Sequence, residues 1–358
     1  MEELGQQFNI SDALEKNGLD DVDSLLTLLP ADASRLLRLA PAQIHELYQA
    51  ASIVRYPTDK QSSCIKSLEN RYLTCHDAHL DSILGKGIPL GSITEVVGES
   101  SSGKTQLCLQ LCFTVQRPKT LGGLGGEAVY LHNEGKFSTT RCSQLATWFG
   151  QQYQVSPQQL AQSIHTMYVP TTEALFRTIA YQLPVLLKRK NRIRLVVIDS
   201  IGAAYRGCGN NESRQVQFDT LKEINEVGWR LKKLGHEYQV AIVVVNQVSD
   251  AIVDEGAVAR RKKDDYLPTA MDEWLDITLE GDQMTRMGSF IQSLAKKPIL
   301  GTTWSTSVTT RIRMARSLLV EGQPSKRAFV LEFSPWLPRR GCEIVLNEHG
   351  IQSKTGLE

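Results

Sequence analysis

Hydrophobic positions along the chain follow two different patterns, which divide it near residue 70. In the first part, apolar residues recur at helical spacing between short polar stretches, and the apolar faces are Leu25, Leu26, Leu29, Leu36, Leu37, Leu39, Ile44 and Leu47. Ser11 and Asp21 are candidate N-caps, and Pro30 and Pro41 suit first helical turns. These signals predict a small all-α domain over residues 1–55.

A polar run, Pro57–Ser63, follows this helical pattern and predicts a linker over residues 56–70. From residue 71 onward, strand-like runs alternate with long helical patterns. The predicted strands cover 92–98, 128–134, 165–170, 193–199 and 241–247, and the predicted helices cover 103–116, 138–150, 172–189 and 214–234. This alternation predicts an α/β domain over residues 71–358, with a doubly wound, mostly parallel sheet that binds ligands at strand carboxyl ends.

Three further strand-like runs, 308–315, 327–333 and 342–347, follow one another closely. Their short spacing predicts a meander that extends the sheet. Residues 248–300 break the alternation, and this segment is polar. It contains the basic tetrad Arg260–Lys263, for which three interpretations stay open: solvated surface, contact with DNA phosphates, or a nuclear import signal.

The strongest chemical signal is the segment Gly98–Thr105, which matches the pattern Gly-x-x-x-x-Gly-Lys-Ser/Thr. A strand-like run, Ser92–Val97, precedes it and a helical pattern, Gln106–Gln116, follows it, as this pattern requires. Backbone N–H groups of such a loop hold nucleotide phosphates at a helix N-terminus. Lys104 would add a cation there, and Thr105 would offer a hydroxyl to Mg²⁺.

Polar residues at three predicted strand ends could complete this site. Asp199 ends a buried strand, where its carboxylate would lie beside the metal and its water shell. Glu134 follows another strand and could position the attacking water, although a surface carboxylate that caps the next helix is the alternative. Asn246 and Gln247 end a third strand, where an amide could sense the γ-phosphate and pass its presence to the following loop.

Composition narrows the class of protein. The net charge of +1 gives no bulk attraction to a polyanion, so any contact with nucleic acid must come from local patches. The seven cysteines lack paired spacing, and Cys108 and Cys112 lie four residues apart in a helical pattern that faces the core. A reduced intracellular compartment fits this usage. Without an apolar run of about 18 residues, the sequence predicts a soluble protein.

The region from residue 71 resembles the RecA-type ATPase core of the eukaryotic strand-exchange recombinases and their paralogues. The motifs that carry the resemblance are Gly91–Glu95, the phosphate loop, Tyr130–Phe137, the strand that ends at Asp199, Val245–Val248, Gln116–Pro118 with Gly122–Leu124, Leu300–Trp304 and Ser334–Pro338. The motifs outside the phosphate loop are more specific than the loop, which many NTPases share.

Position by position, the resemblance implies roles for named residues. The implied nucleotide contacts are Gly98, Glu99, Ser100, Ser101, Ser102, Gly103, Lys104, Thr105, Gln106, Arg141 and Gln247. Thr105 and Asp199 are the implied Mg²⁺ ligands, and Lys104 and Glu134 are the implied catalytic residues. Arg141 matches an arginine that stacks on adenine. Segments 206–214 and 249–300 fall where the family keeps its DNA-binding loops.

The resemblance also implies a function: a slow, DNA-dependent ATPase that uses ATP and Mg²⁺ in homologous-recombination repair of double-strand breaks and in junction or crosslink processing. The implied partners are the C-type recombinase paralogue as a direct heterodimer, the strand-exchange recombinase, and single-stranded or junction DNA. The implied location is the nucleus, with a cytoplasmic pool. The alternatives are an autonomous strand-exchange ATPase and a nucleotide-gated scaffold without useful hydrolysis.

Two departures from the family bear on assembly. The family polymerises through a Phe-x-x-Ala linker motif, which does not occur in this sequence. An aspartate of the family's ATP-capping segment is replaced by Phe333. Both differences argue against self-polymerisation and favour a complex with another subunit.

Overall fold

A computed structural model describes residues 2–55, 72–205, 214–249, 279–280, 290–317 and 325–354 of this chain. The chain divides into two compact units, Met1–Glu69 and Asn70–Glu358. The proposed linker, residues 56–70, lies outside the described residues.

The first unit contains five helices in its described part, as the apolar spacing predicts. They are α1 (Glu2–Gln7), α2 (Ser11–Lys16), α3 (Val22–Thr27), α4 (Pro30–Leu37) and α5 (Pro41–Arg55). Asp21 caps α3, because its carboxylate accepts a hydrogen bond from the Ser24 amide at 2.6 Å. Ser11 is the first residue of α2, and the N-cap is Ile10. The core of the unit includes Leu25, Ile44 and Leu47.

The second unit is an α/β domain, as predicted. Its strands are β1 (Tyr72–Leu73), β2 (Ile88–Pro89), β3 (Ile93–Gly98), β4 (Glu127–His132), β5 (Ile164–Tyr168), β6 (Ile193–Asp199), β7 (Ala241–Ser249), β8 (Leu279–Glu280), β9 (Lys297–Pro298), β10 (Thr310–Arg316), β11 (Arg327–Phe333), β12 (Arg340–Asn347) and β13 (Gly350–Ser353). Its helices are α6 (Ala78–Ile83), α7 (Lys104–Thr114), α8 (Thr139–Tyr153), α9 (Pro157–Gln162), α10 (Thr172–Arg177), α11 (Leu183–Arg189), α12 (Ile201–Ala204), α13 (Arg214–Tyr238), α14 (Ile291–Ala295) and α15 (Gly301–Ser305). A 3-10 turn, Lys119–Leu121, follows α7, and a π turn, Thr178–Gln182, joins α10 to α11.

The main sheet has the strand order β13-β12-β11-β10-β3-β7-β6-β4-β5. The strands from β10 to β5 in this order are parallel, and β10 to β13 form an antiparallel meander. The parallel sheet and the meander of three runs are therefore confirmed. The sequence patterns missed β13, which Gln110 holds in place: its buried side-chain amide donates to the Ile351 carbonyl at 3.1 Å and accepts from the Ile351 amide at 2.5 Å.

Two hydrophobic cores cover the two faces of this sheet. Side chains alternate along each strand, so that Val243 of β7 joins the core beneath α7 and α8, whereas Ile242 and Val244 join the core beneath α11 and α13. Cys108 and Cys112 are fully buried in the first of these cores, as their spacing predicts. Within the described ranges, no helix combines the length and the apolar composition that crossing a membrane requires.

Candidate functional site

The loop between β3 and α7 has a backbone path that its glycines make possible. A Cβ atom on Gly98 would lie 2.2 Å from the Met314 carbonyl oxygen of β10, which no side chain tolerates. Gly103 has a φ of +111°, a conformation that residues with a Cβ atom rarely adopt. The loop therefore packs tightly on β10 and presents its backbone amides at the start of α7.

A cavity of about 660 Å³ lies at the carboxyl ends of the parallel strands, where a doubly wound sheet binds its ligands. It is lined by Gly98, Ser100, Ser101, Gly103, Lys104, Thr105, Gln106, Glu134, Asp199, Ser200, Val245, Gln247, Val248 and Leu346. Most of the residues implied as nucleotide, metal or catalytic contacts therefore meet in one cavity. They come from the phosphate loop, α7 and the carboxyl ends of β4, β6 and β7.

Lys104 places a cation inside the loop. Its ammonium donates to the Gly98 carbonyl at 2.9 Å and to the Glu99 carbonyl at 2.7 Å, and the side chain is buried. Burial lowers the pKa of Lys104, while the negative charges of Asp199 and Glu134 oppose that shift. The loop carbonyls therefore fix the position of the cation, and two cavity carboxylates stabilise its charge.

Asp199 is the centre of a group of oxygen atoms on the floor of the cavity. Its Oδ2 atom accepts a hydrogen bond from the Thr105 hydroxyl at 2.8 Å and another from the Tyr130 hydroxyl at 2.6 Å. Burial, reinforced by the charge of Asp199, raises the pKa of Tyr130 well above its usual range, so this phenol remains a neutral donor. Hydroxyl and carboxylate oxygens are the ligands that Mg²⁺ prefers, so Thr105 and Asp199 suit a magnesium site.

Glu134 and Gln247 face each other in the cavity. The Gln247 side-chain amide donates to the Glu134 carboxylate at 2.7 Å, and the N-cap position of the following helix, α8, is taken by Ser138. Asn133 ties the end of β4 to the end of β6, because its side chain donates to the Ser200 carbonyl at 2.6 Å and accepts from the Ser200 amide at 2.9 Å. These bonds set the position at which Glu134 leaves the sheet.

Three residues implied as nucleotide contacts are not among the residues that line the cavity. Arg141 donates from Nε to Gln106 at 2.8 Å and from Nη2 to the Asn347 carbonyl at 2.6 Å. Its guanidinium therefore lies between the first turn of α7 and the hairpin that joins β12 to β13. Ser102 is buried, and the Glu99 carboxylate, which does not line the cavity, lies 2.8 Å from the Lys296 ammonium.

Comparison of the sequence with known proteins shows to which family this chain belongs. A model of the family described as Rad51 matches residues 69–268 of this chain. The chain belongs to the Rad51 family. The DNA repair protein rhp57 of Schizosaccharomyces pombe is 30% identical, with 96% of each chain covered.

Two further relatives extend the comparison. The DNA repair protein XRCC3 of Mus musculus is 26% identical over 100% of this chain and 99% of its own. The meiotic recombination protein DMC1 of Saccharomyces cerevisiae is 28% identical over 96% of this chain and 91% of its own. The resemblance to the strand-exchange recombinases and their paralogues is thus confirmed.

Some lining residues of this Rad51-family site gave no sequence signal. Leu346 comes from β12 and reaches the cavity only because the meander places β12 near the phosphate loop, where its side chain would lie 3.5 Å from a Cβ atom on Gly103. Ser200 follows Asp199, and Val245 and Val248 belong to the motif Val245–Val248, although the sequence assigned none of these three a place in the site. The hydrogen bond of the Tyr130 hydroxyl was also missed, because Tyr130 and its partner Asp199 are 69 residues apart in the sequence.

The two proposed DNA loops lie mostly outside the described residues. Of segment 206–214, only Arg214 is described, as the first residue of α13. Of segment 249–300, residues 249, 279–280 and 290–300 are described. The basic tetrad, Arg260–Lys263, lies outside the described residues, so its three interpretations stay open.

Proposed function

We propose that this chain is an ATP-binding and DNA-binding recombinase paralogue that acts in homologous-recombination repair of double-strand breaks and in junction or crosslink processing. The observation that carries the proposal is the meeting of Lys104, Thr105, Asp199, Glu134 and Gln247 in one cavity beside a phosphate-binding loop. The relatives support the biological part, because their names describe DNA repair and meiotic recombination proteins. Members of the Rad51 family are in general ATPases.

The residues of the cavity fit ATP and Mg²⁺. The loop leaves no room for a Cβ atom on Gly98, holds Gly103 at a φ of +111°, and carries the cation of Lys104. Thr105 and Asp199 would hold Mg²⁺, which screens the charge of the phosphate oxygens when it is bound. Gln106 and Arg141 lie together at the edge of the cavity, where we assign them to the nucleoside part.

The chain's own groups suit hydrolysis of the terminal phosphate. Lys104 stabilises negative charge on the phosphate oxygens, because its ammonium is fixed inside a partly desolvated loop. Glu134 orients a water molecule and accepts its proton, and Gln247 holds the Glu134 carboxylate in position. We infer slow, DNA-dependent turnover, and the position of Glu134 argues against a scaffold that lacks hydrolysis.

The same sequence departures that argue against self-polymerisation favour a hetero-complex. Phe333 is the last residue of β11 and Trp336 lies in the turn that leads to β12, and their side chains are 49% and 51% exposed. Exposed aromatic residues are typical of protein interfaces. We infer that the C-type recombinase paralogue is the direct partner, and that the pair assembles or stabilises filaments of the strand-exchange recombinase on single-stranded or junction DNA. Nuclear action fits the repair relatives, and the cytoplasmic pool stays a prediction.

Light scattering on mixtures tests the assembly. We expect the 358-residue chain to be monomeric or aggregation-prone alone, and to form a one-to-one complex with the C-type paralogue that MgATP stabilises and Lys104→Ala weakens. The partner stabilises the folded chain by mass action. Ordered, ATP-dependent filaments of this chain alone would contradict the proposal and support the autonomous strand-exchange ATPase.

A further inference from the structure

Glu99 is the only acidic residue of the phosphate loop, and its side chain has a specific partner. Its carboxylate lies 2.8 Å from the ammonium of Lys296, and the two side chains are 17% and 28% exposed. Because both are mostly shielded from water, this ion pair is screened less than an exposed surface pair. Lys296 comes from a distant part of the sequence, so the pair joins the loop to another element of the domain.

The backbone around Lys296 is held from two sides. Its carbonyl accepts a hydrogen bond from Arg313 of β10 at 2.9 Å, and Arg313 is itself paired with Glu332 at 2.6 Å. The next two residues form β9, which pairs antiparallel with the end of β7 through Val248. Lys296 therefore approaches Glu99 from a fixed position and not from a loose surface chain.

Without the Lys296 ammonium beside it, the Glu99 carboxylate would oppose nucleotide binding. Lys104 already donates to the Glu99 backbone carbonyl at 2.7 Å, and the charge of Glu99 acts on the Lys104 ammonium. A carboxylate without its own cation would compete with phosphate oxygens for Lys104. It would also repel the phosphates, and the repulsion would be strong where water is partly excluded.

We propose that Lys296 is a positioning residue for nucleotide binding: it holds the Glu99 carboxylate outside the cavity and neutralises it, so that Lys104 remains available to phosphate. This inference rests on the proposed binding of ATP in the cavity. Lys296 thus takes part in nucleotide binding, although this residue lies outside the phosphate-loop motif and does not line the cavity. Nucleotide binding thereby becomes dependent on the position of the segment that leads into β9.

Equilibrium titration with a fluorescent ATP analogue and Mg²⁺ tests the proposal. We expect Lys296→Ala to raise the Kd about tenfold, the scale of one charge-assisted contact. The neighbouring Lys297 is exposed and supplies a matched control, so Lys297→Ala should bind as the parent does. Glu99→Gln removes the harmful charge, so Glu99→Gln combined with Lys296→Ala should recover most of the affinity that Lys296→Ala alone loses.

The double variant separates this role from a structural one. If Lys296 acted only by supporting the fold, removing the Glu99 charge would not restore binding in the double variant. Parent-like binding by Lys296→Ala, or a double variant as weak as Lys296→Ala, would overturn the proposal. Lys104→Ala in the same titration tests the nucleotide site itself. If Lys104→Ala binds the ATP analogue as the parent does, the proposed function fails. If Lys104→Ala loses binding and Lys296→Ala does not, only the role of Lys296 is refuted.

Discussion

Lys104→Ala is expected to weaken MgATP binding by about 100-fold or more. The ammonium is buried and held by the Gly98 and Glu99 carbonyls, so its loss removes a fixed cation from a partly desolvated site. A 100-fold change in Kd corresponds to about 2.8 kcal/mol, within the range of about 2–5 kcal/mol that truncating one partner of a buried, hydrogen-bonded charge pair costs. Isothermal titration calorimetry with a slowly hydrolysed ATP analogue measures the change directly.

Lys119→Ala is the control for this experiment. Lys119 carries the same charge in the short 3-10 turn after α7, and it is exposed. Its loss changes the net charge of the protein by the same amount but removes no group from the cavity. Equal weakening by the two variants would show that bulk charge, and not the loop, governs binding.

Glu134→Gln is expected to leave MgATP binding within about threefold of the parent and to reduce turnover by about 100-fold or more. The amide keeps the size of the side chain but cannot accept a proton from water, and general bases contribute about 10²–10⁴-fold. Phosphate release in the presence of the partner and single-stranded DNA measures turnover, and calorimetry measures binding.

Glu237→Gln is the matched control for the hydrolysis experiment. Glu237 is exposed near the carboxyl end of α13, just before the start of β7 and therefore at the opposite end of this strand from Gln247. The control should turn over ATP as the parent does. Undiminished turnover by Glu134→Gln would remove Glu134 from its proposed role, and no turnover by the parent under any condition would support a nucleotide-gated scaffold.

The parts of the site that were predictable come from contiguous sequence or from one edge of the sheet. The segment from β3 through the loop to α7 carries its own signals, since a strand, glycines and a helix follow in order. Asp199, Glu134 and Gln247 were predictable as neighbours because parallel strands end at one edge. Their exact partners were not, as the bond between Gln247 and Glu134 spans 113 residues.

A buried group of charges beneath the loop shows why the rest could not be predicted. Glu95 of β3 is fully buried, and its carboxylate accepts hydrogen bonds from Asn246 at 2.8 Å, Trp304 at 2.9 Å and Arg311 at 2.6 Å. Burial alone would lower the pKa of Arg311, but the charges of Glu95 and Glu332 outweigh it and raise the pKa. A charge in the middle of a buried strand is stabilised by partners that only the tertiary fold brings to it, so the sequence pattern does not reveal its role.

This group fixes the geometry on which the cavity depends. Asn246 precedes Gln247 in β7, and Glu95 of β3 lies three residues before Gly98, the first residue of the phosphate loop. The hydrogen bond between Asn246 and Glu95 therefore locks the register of the two strands that carry the proposed phosphate sensor and the loop. Neither residue lines the cavity, yet both help to position residues that do.

Hydrogen exchange with and without MgATP is the decisive test that this cavity is the nucleotide site, because it reports on the whole chain at once. We expect slower exchange in peptides that cover the phosphate loop, residues 98–106, and the ends of β4, β6 and β7, with no such change in Lys104→Ala. Unchanged exchange over residues 98–106 at saturating MgATP, or equal protection in Lys104→Ala, would contradict the assignment of this cavity as the nucleotide site.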